Sequence, residues 1–180
     1  MTPGKTTIRR ATSADAPLLA LVGAASFLET YAALIPGGDL AAHCRVKHSE
    51  SEYERFLGDP NFALWLVVSD TGAPVGYLVM GPATLPEERP RPQDLEILRI
   101  YALTRFHGQG LGHQLMEAAV AEAAARGADR LVLGMYQGNT QALMFYQRQG
   151  FKIIGERRFQ VGESVFDDHV LARSVHSPRS

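Results

Sequence analysis

The sequence predicts an α/β (α+β) fold around one mixed sheet, and three observations predict it. Two apolar runs, FALWLVVS at 62–69 and PVGYLVM at 74–80, flank Asp70-Thr71-Gly72 as the arms of a hairpin. A third, LEILRIYAL at 95–103, passes through a glycine-rich turn into an alanine-rich stretch and then a further apolar run, Arg130–Met135. That is the order of a strand–helix–strand unit. Phe151–Gln160 and Ser164–Ala172 form a last antiparallel pair around Gly162-Glu163.

The remaining elements fill this frame. Thr6–Arg10 is a short first strand. Thr12 or Ser13 caps a helix, with Asp15 in its first turn and Pro17 close behind. Leu18, Leu19, Val22, Ala25 and Leu28/Glu29 run at helical spacing to about Leu34, and Pro36-Gly37-Gly38 ends the run. Asp39 caps a second helix through the Ala41–Arg55 region. Pro82, Pro86, Pro90 and Pro92 mark 82–93 as an exposed loop. Gly110–Arg126 is a helix ended by Gly127, and Asn139–Gln149 a helix ended by Gly150. No repeat is present, so 1–180 reads as one domain, with a core over about 6–172 and a loose polar tail over 173–180.

Composition narrows the function. At 46% hydrophobic residues the chain is globular, and 18 basic against 19 acidic residues leave a formal charge of -1. That balance offers no footprint for nucleic acid or an anionic membrane. Met1–Arg10 has no apolar stretch of the signal-peptide kind, and no run approaches the ~18 residues of a membrane span, so a cytoplasmic protein is expected. Cys44 is the single cysteine, and the six histidines include no pair at i, i+4, so no metal is expected. Cys44 is read as a small buried hydrophobe and His113 as an exposed helix residue.

Chemistry concentrates in LEILRIYALTRFHGQGLGHQL at 95–115. Glycines let main-chain amides approach a ligand, and a helix start presents unpaired N–H groups. Together they form an anion site suited to a pyrophosphate. The dinucleotide pattern G-x-G-x-x-G fails because His113 stands where its third glycine would fall, and the Gly-Lys-Ser/Thr of a phosphate loop is absent. An oxidoreductase therefore rests on the glycines alone.

His107-Gly108-Gln109-Gly110-Leu111-Gly112 resembles the pyrophosphate motif Gln/Arg-x-x-Gly-x-Gly/Ala of the GCN5-related N-acetyltransferase (GNAT) superfamily, with His107 departing at the first position. Arg105 is close enough in sequence to supply charge. Asn139 to Phe151 resembles the later family motif N-x-x-A-x-x-F-Y-x-x-x-G-F, and the resemblance runs from Ile8 to about Ala172. Within the superfamily it is nearest to the PaiA-like polyamine acetyltransferases, through LEILRIYAL, Phe27/Thr30-Tyr31, Gly155-Glu156, Val161-Gly162 and Asp167-Asp168.

This resemblance implies a mostly antiparallel mixed sheet of about six or seven strands with helices on both faces. It implies acetyl-CoA as cofactor, coenzyme A as product, a small-molecule amine as acceptor, and admits a homodimer. The main chain of Ile100, Tyr101, Ala102 and Leu103 would pair with the pantetheine arm, with the Ile100 amide an oxyanion-type donor. His107, Gly108, Gln109, Gly110, Leu111, Gly112 and His113 would line the phosphates, and Asn139 and Ala142 the cofactor arm. Glu96 matches the general base and Tyr146 the tyrosine that protonates the departing thiolate. Each has a structural alternative: Glu96 an outward strand carboxylate, Tyr146 a core tyrosine beside Phe145. Phe27, Tyr31, Glu29, His43 and the Glu87-Glu88 loop fall on the acceptor side, where carboxylates would suit a polyamine such as spermidine. The His107 departure keeps a non-catalytic acyl-CoA-binding sensor as the competing reading.

Overall fold

The computed structural model describes residues 4–86 and 91–176. In chain order the strands are β1 (Thr6–Arg10), β2 (Ala63–Ser69), β3 (Pro74–Pro82), β4 (Asp94–Ala102), β5 (Arg130–Tyr136), β6 (Lys152–Val161) and β7 (Ser164–Ser174). The helices are α1 (Ala16–Tyr31), α2 (Gly37–Lys47), α3 (Glu50–Gly58), α4 (Leu111–Ala125) and α5 (Thr140–Arg148). The seven strands form one sheet in the order β1-β2-β3-β4-β5-β7-β6. It is mixed: β1 runs antiparallel to β2 and β7 antiparallel to β5, whereas β4 and β5 are parallel. The predicted α/β class and strand count hold.

By its contacts the chain divides into two compact units. The first is Met1–Val79, Arg99–Leu115 and Val161–Ser164; the second is Met80–Leu98, Met116–Gln160 and Val165–Ser180.

In the first unit, Asp15 closes the start of α1. Its Oδ2 accepts from the Thr12 amide at 2.7 Å, and Arg9 grips both carboxylate oxygens. That cation holds the Asp15 carboxyl well below the usual carboxylate range. The buried face of α1 is Leu19, Val22, Gly23, Ser26, Phe27 and Tyr31. Ala25 and Leu28, expected on that face, are exposed, because the apolar stripe drifts one position along a helix of 3.6-residue period. The single helix expected over Ala41–Arg55 is two. His48 leaves helical geometry, and Ser49 caps α3 by accepting from the Glu52 amide at 3.2 Å. Asp39 does not cap α2, whose N-cap is Pro36; its carboxylate packs where a Cβ on Gly162 would stand.

In the second unit, Val132, Val170 and Ala172 form an apolar cluster with Leu85, and Ala83 packs against it. The segment after β3 is therefore not simply the exposed loop its prolines announce. Pro82 ends β3, and Leu85 is fully buried. Of the residues expected as a loose tail, Arg173 and Ser174 belong to β7, and 177–180 lie outside the described residues. The Val175 amide donates to the Asp129 carbonyl at 3.0 Å.

Candidate active site

The glycine-rich turn lies in the first unit. β4 ends at Ala102, the Leu103 amide donates to the Val75 carbonyl of β3 at 2.9 Å, and a short 3-10 turn, Thr104–Phe106, follows. Gly76 of β3 lets the two main chains meet this closely, since a Cβ there would lie 2.9 Å from the Tyr101 carbonyl oxygen. Gly108 and Gly110 take φ of +79° and +76°, left-handed values that favour glycine, and a Cβ on Gly108 would meet nothing within 4 Å. The first helical bond of α4 runs from the Gln114 amide to the Gly110 carbonyl at 3.0 Å. The amides of Leu111 and Gly112 precede it and belong to the turn that intrahelical bonding leaves over. Gly108, Gln109, Gly110 and His113 are exposed. A main-chain cradle at the start of a 15-residue helix suits an anionic diphosphate.

His107 has a definite task here. Its Nε2 lies 2.7 Å from the Ala102 carbonyl oxygen, so Nε2 carries the proton and donates. The ring ties the turn back to the end of β4. Glu29, expected on the acceptor wall, is engaged nearby: its Oε2 accepts from the Thr104 amide at 3.0 Å, pinning α1 to the start of the same turn.

Phe27, Tyr31 and His43, also expected on the acceptor side, pack together in the same unit. Phe27 stacks on His43 at 4.3 Å between centroids and lies 4.6 Å from Tyr31. Beneath them is a polar group that sequence reasoning missed. His48 Nδ1 meets the Tyr53 hydroxyl at 3.0 Å, and burial drives the His48 pKa down to about 3, so the ring is neutral. The Arg99 guanidinium lies 5.2 Å from the rings of both Tyr53 and Phe56. Arg99 Nη1 and the Tyr77 hydroxyl are buried with no hydrogen-bond partner among the described residues. Cys44 is half-buried rather than buried, and burial pushes its thiol up, away from nucleophilic character.

The second unit holds the predicted acid–base residues. Glu96 is buried, not outward-facing. The Thr84 amide and hydroxyl both donate to its Oε2, at 2.8 and 2.7 Å. Thr84 escaped notice because it stands in the proline-rich segment. Glu96 also ends the parallel ladder of β4 and β5, which pairs Asp94 with Arg130, Leu95 with Leu131 and Glu96 with Val132. Asn139 caps α5, its Oδ1 accepting from the Ala142 amide at 3.0 Å. Tyr146 is buried on α5, edge-on to Phe145 at 5.2 Å and Phe151 at 5.9 Å. Asp168 is buried on β7, and its Oδ2 accepts from Arg157 Nε at 3.2 Å. Burial pushes its carboxyl up, against the downward pull of Arg157.

The sequence model of the acetyltransferase (GNAT) family matches residues 34–151, from just after α1 through both glycine-bearing motifs. The chain belongs to the GNAT family. This GNAT acetyltransferase is 32% identical over 161 residues to an uncharacterized N-acetyltransferase of Mycobacterium tuberculosis, covering 89% of its own length and 98% of the relative's. It is 31% identical over 107 residues to a peptidyl-lysine N-acetyltransferase of Salmonella typhimurium, covering 58% and 62% of the two chains. Its fold matches the PaiA N-acetyltransferase of Thermoplasma acidophilum, solved with coenzyme A, at a TM-score of 0.76 and 18% identity, over 94% of this chain and 99% of that one. The protein is thus an acetyl-CoA-dependent N-acetyltransferase. Among the described residues no helix is long and apolar enough to cross a membrane.

Proposed function

We propose that the acetyltransferase moves acetyl from acetyl-CoA to a primary amine by direct attack, with Glu96 as general base and Tyr146 as general acid. The observation that carries the reading is the 107–112 turn, where left-handed Gly108 and Gly110 open main-chain amides at the head of α4 directly after β4. Leu111, Gly112 and their neighbours would hold the diphosphate, and the main chain of Ile100–Leu103 the pantetheine arm. The cofactor supplies a thioester already activated for transfer.

The amine must be neutral to attack. With an alkylamine pKa of about 10.4, roughly 1 in 10³ molecules is neutral at pH 7, so a positioned base is needed. Thr84 occupies Glu96 Oε2, which leaves Oε1 to take the proton. The leaving thiol, with a pKa of about 8.5, needs less help, and the Tyr146 hydroxyl would supply its proton. The lysine ammonium that names the Salmonella relative's acceptor is such an alkylamine. The likeness to the PaiA branch adds polyamines to the candidates.

Thiol release from acetyl-CoA across a panel of amines tests the reading. Release with at least one amine supports it; tight cofactor binding without release would favour a non-catalytic sensor. Tyr146→Phe should lower kcat about tenfold or more while leaving acetyl-CoA affinity within twofold. Equal turnover removes Tyr146 from the mechanism.

His107 makes a separate prediction. His107→Ala should weaken acetyl-CoA binding about five- to tenfold in calorimetric titration, the worth of one hydrogen bond organising the turn. His107→Gln keeps a donor and should lose less. An unchanged affinity in His107→Ala would show that the Ala102 contact does not shape the cofactor site.

A further inference from the structure

The sheet register puts a cation on the face that carries Glu96. Glu96 is opposite Val132, Val132 opposite Ala172, Gly134 opposite Val170, and Tyr136 opposite Asp168. Directly paired residues share a face, as do alternate residues along a strand. Glu96, Val132, Gly134, Tyr136, Val170 and Asp168 therefore line one face of the second unit. On it, the long side chain of Arg157 reaches from β6 to β5. A Cβ on Gly134 would lie 2.6 Å from Arg157 Nη2, so only the missing side chain of Gly134 gives the guanidinium its place. Gly134 lies two residues beyond Val132 along β5, about 7 Å from the level of Glu96.

The guanidinium is aimed, not merely present. Asp168 holds it by Nε alone, at 3.2 Å. No other hydrogen bond engages Arg157 among the described residues, and its side chain keeps 22% of its exposure. Asp168 is 95% buried and its Oδ1 has no partner, so this carboxylate gives up solvation to serve the arginine. The Nη1–Nη2 edge of a guanidinium is a fork that matches a carboxylate.

We propose that Arg157 binds a carboxylate of the acceptor, so that the amine presented to Glu96 belongs to an amino acid rather than to a polyamine. Asp168 is the positioning residue that fixes the fork. The proposal rests on the acetyl-transfer reading above and narrows its acceptor. It departs from the polyamine expectation for a physical reason. A chain of ammonium groups laid along this face meets Arg157 as a like charge. Of the carboxylates expected to attract it, Glu29 is engaged by the Thr104 amide, and Glu87-Glu88 lie outside the described residues.

The test compares L-α-amino acids with their own decarboxylated amines, and with spermidine, in the thiol-release assay. Wild type should prefer each accepted amino acid over its decarboxylated amine by about tenfold or more in kcat/KM. Arg157→Gln should erase that preference by raising KM for the amino acid, with Arg157→Lys intermediate. A preference of wild type for spermidine or for the decarboxylated amines would overturn the proposal. So would an Arg157→Gln effect equal on both members of a pair, which is what mere structural damage produces. Should Arg157→Gln not fold, the wild-type preference decides alone. Thiol release with spermidine or simple amines but never with amino acids defeats this inference only; release with no amine at all defeats the acetyl-transfer reading and this inference with it.

Discussion

Replacing Glu96 with Gln should lower kcat about 10²- to 10³-fold, the ordinary share of a general base, while acetyl-CoA affinity stays within twofold. The substitution isolates basicity from shape. Gln keeps a carbonyl oxygen that can accept from the Thr84 amide and hydroxyl, as Glu96 Oε2 does at 2.8 and 2.7 Å, so the buried site retains its partners. What Gln lacks is an atom able to take the ammonium proton. Raising the pH supplies more neutral amine from solution, so the deficit of the variant should shrink as the pH rises toward the amine pKa. The check is a pH profile of kcat/KM for wild type and variant with one accepted amine. A variant as fast as wild type at pH 7 would return Glu96 to the role of a buried strand carboxylate held by Thr84. A deficit that is constant with pH would point to lost packing instead of lost base.

Elements with a local signal were legible in the sequence. Strands β2 to β5 fall within two residues of the apolar runs that announced them, because an alternating or continuous apolar run has few other ways to be buried. α5 begins where Asn139 said it would, since a cap is a bond between neighbours in sequence. The turn at 107–112 was legible because left-handed backbone requires glycine whatever surrounds it. The misses share a cause. Gly134 and Gly23 sit inside regular elements, and nothing nearby in sequence says that a guanidinium or a buried histidine must come close. Arg157 and Asp168 meet across the β6–β7 hairpin, which was legible, but Arg157 reaches Gly134 only because β7 stands between β5 and β6 in the sheet, an order that no strand records by itself. The burial of Leu85 and the bonds from Thr84 to Glu96 were hidden by the prolines around them, which report backbone restriction and say nothing of burial or partners. The break at His48-Ser49 was masked by helix-forming residues on both sides, and its cause is the burial of His48 against Tyr53.

That burial gives the largest stability effect. Gly23→Ala should destabilise the protein by about 2–3 kcal/mol, although the same change in an exposed helix would stabilise it by up to about 1 kcal/mol. The sign follows from what faces α1. A Cβ on Gly23 would fall on the Tyr53 hydroxyl and on His48 Nδ1, the two atoms that share a 3.0 Å hydrogen bond. Both residues are buried, Tyr53 completely, and His48 is neutral, so neither polar atom can turn to water if displaced. The methyl group must either push α1 from α3, opening the packing of Phe27 and Tyr31 with their neighbours, or break the bond and strand two polar atoms. Overpacking costs about 1–3 kcal/mol and a stranded buried polar group a similar amount, and either outweighs the helix propensity that alanine gains. Gly38→Ala is the matched control. Gly38 is also helical, on α2, is exposed, and a Cβ there meets nothing within 4 Å, so only the propensity gain remains and that variant should be the more stable. Urea midpoints at unchanged m-value measure both. Two shifts of the same sign would show that the contact between α1 and the His48–Tyr53 pair does not constrain the helix.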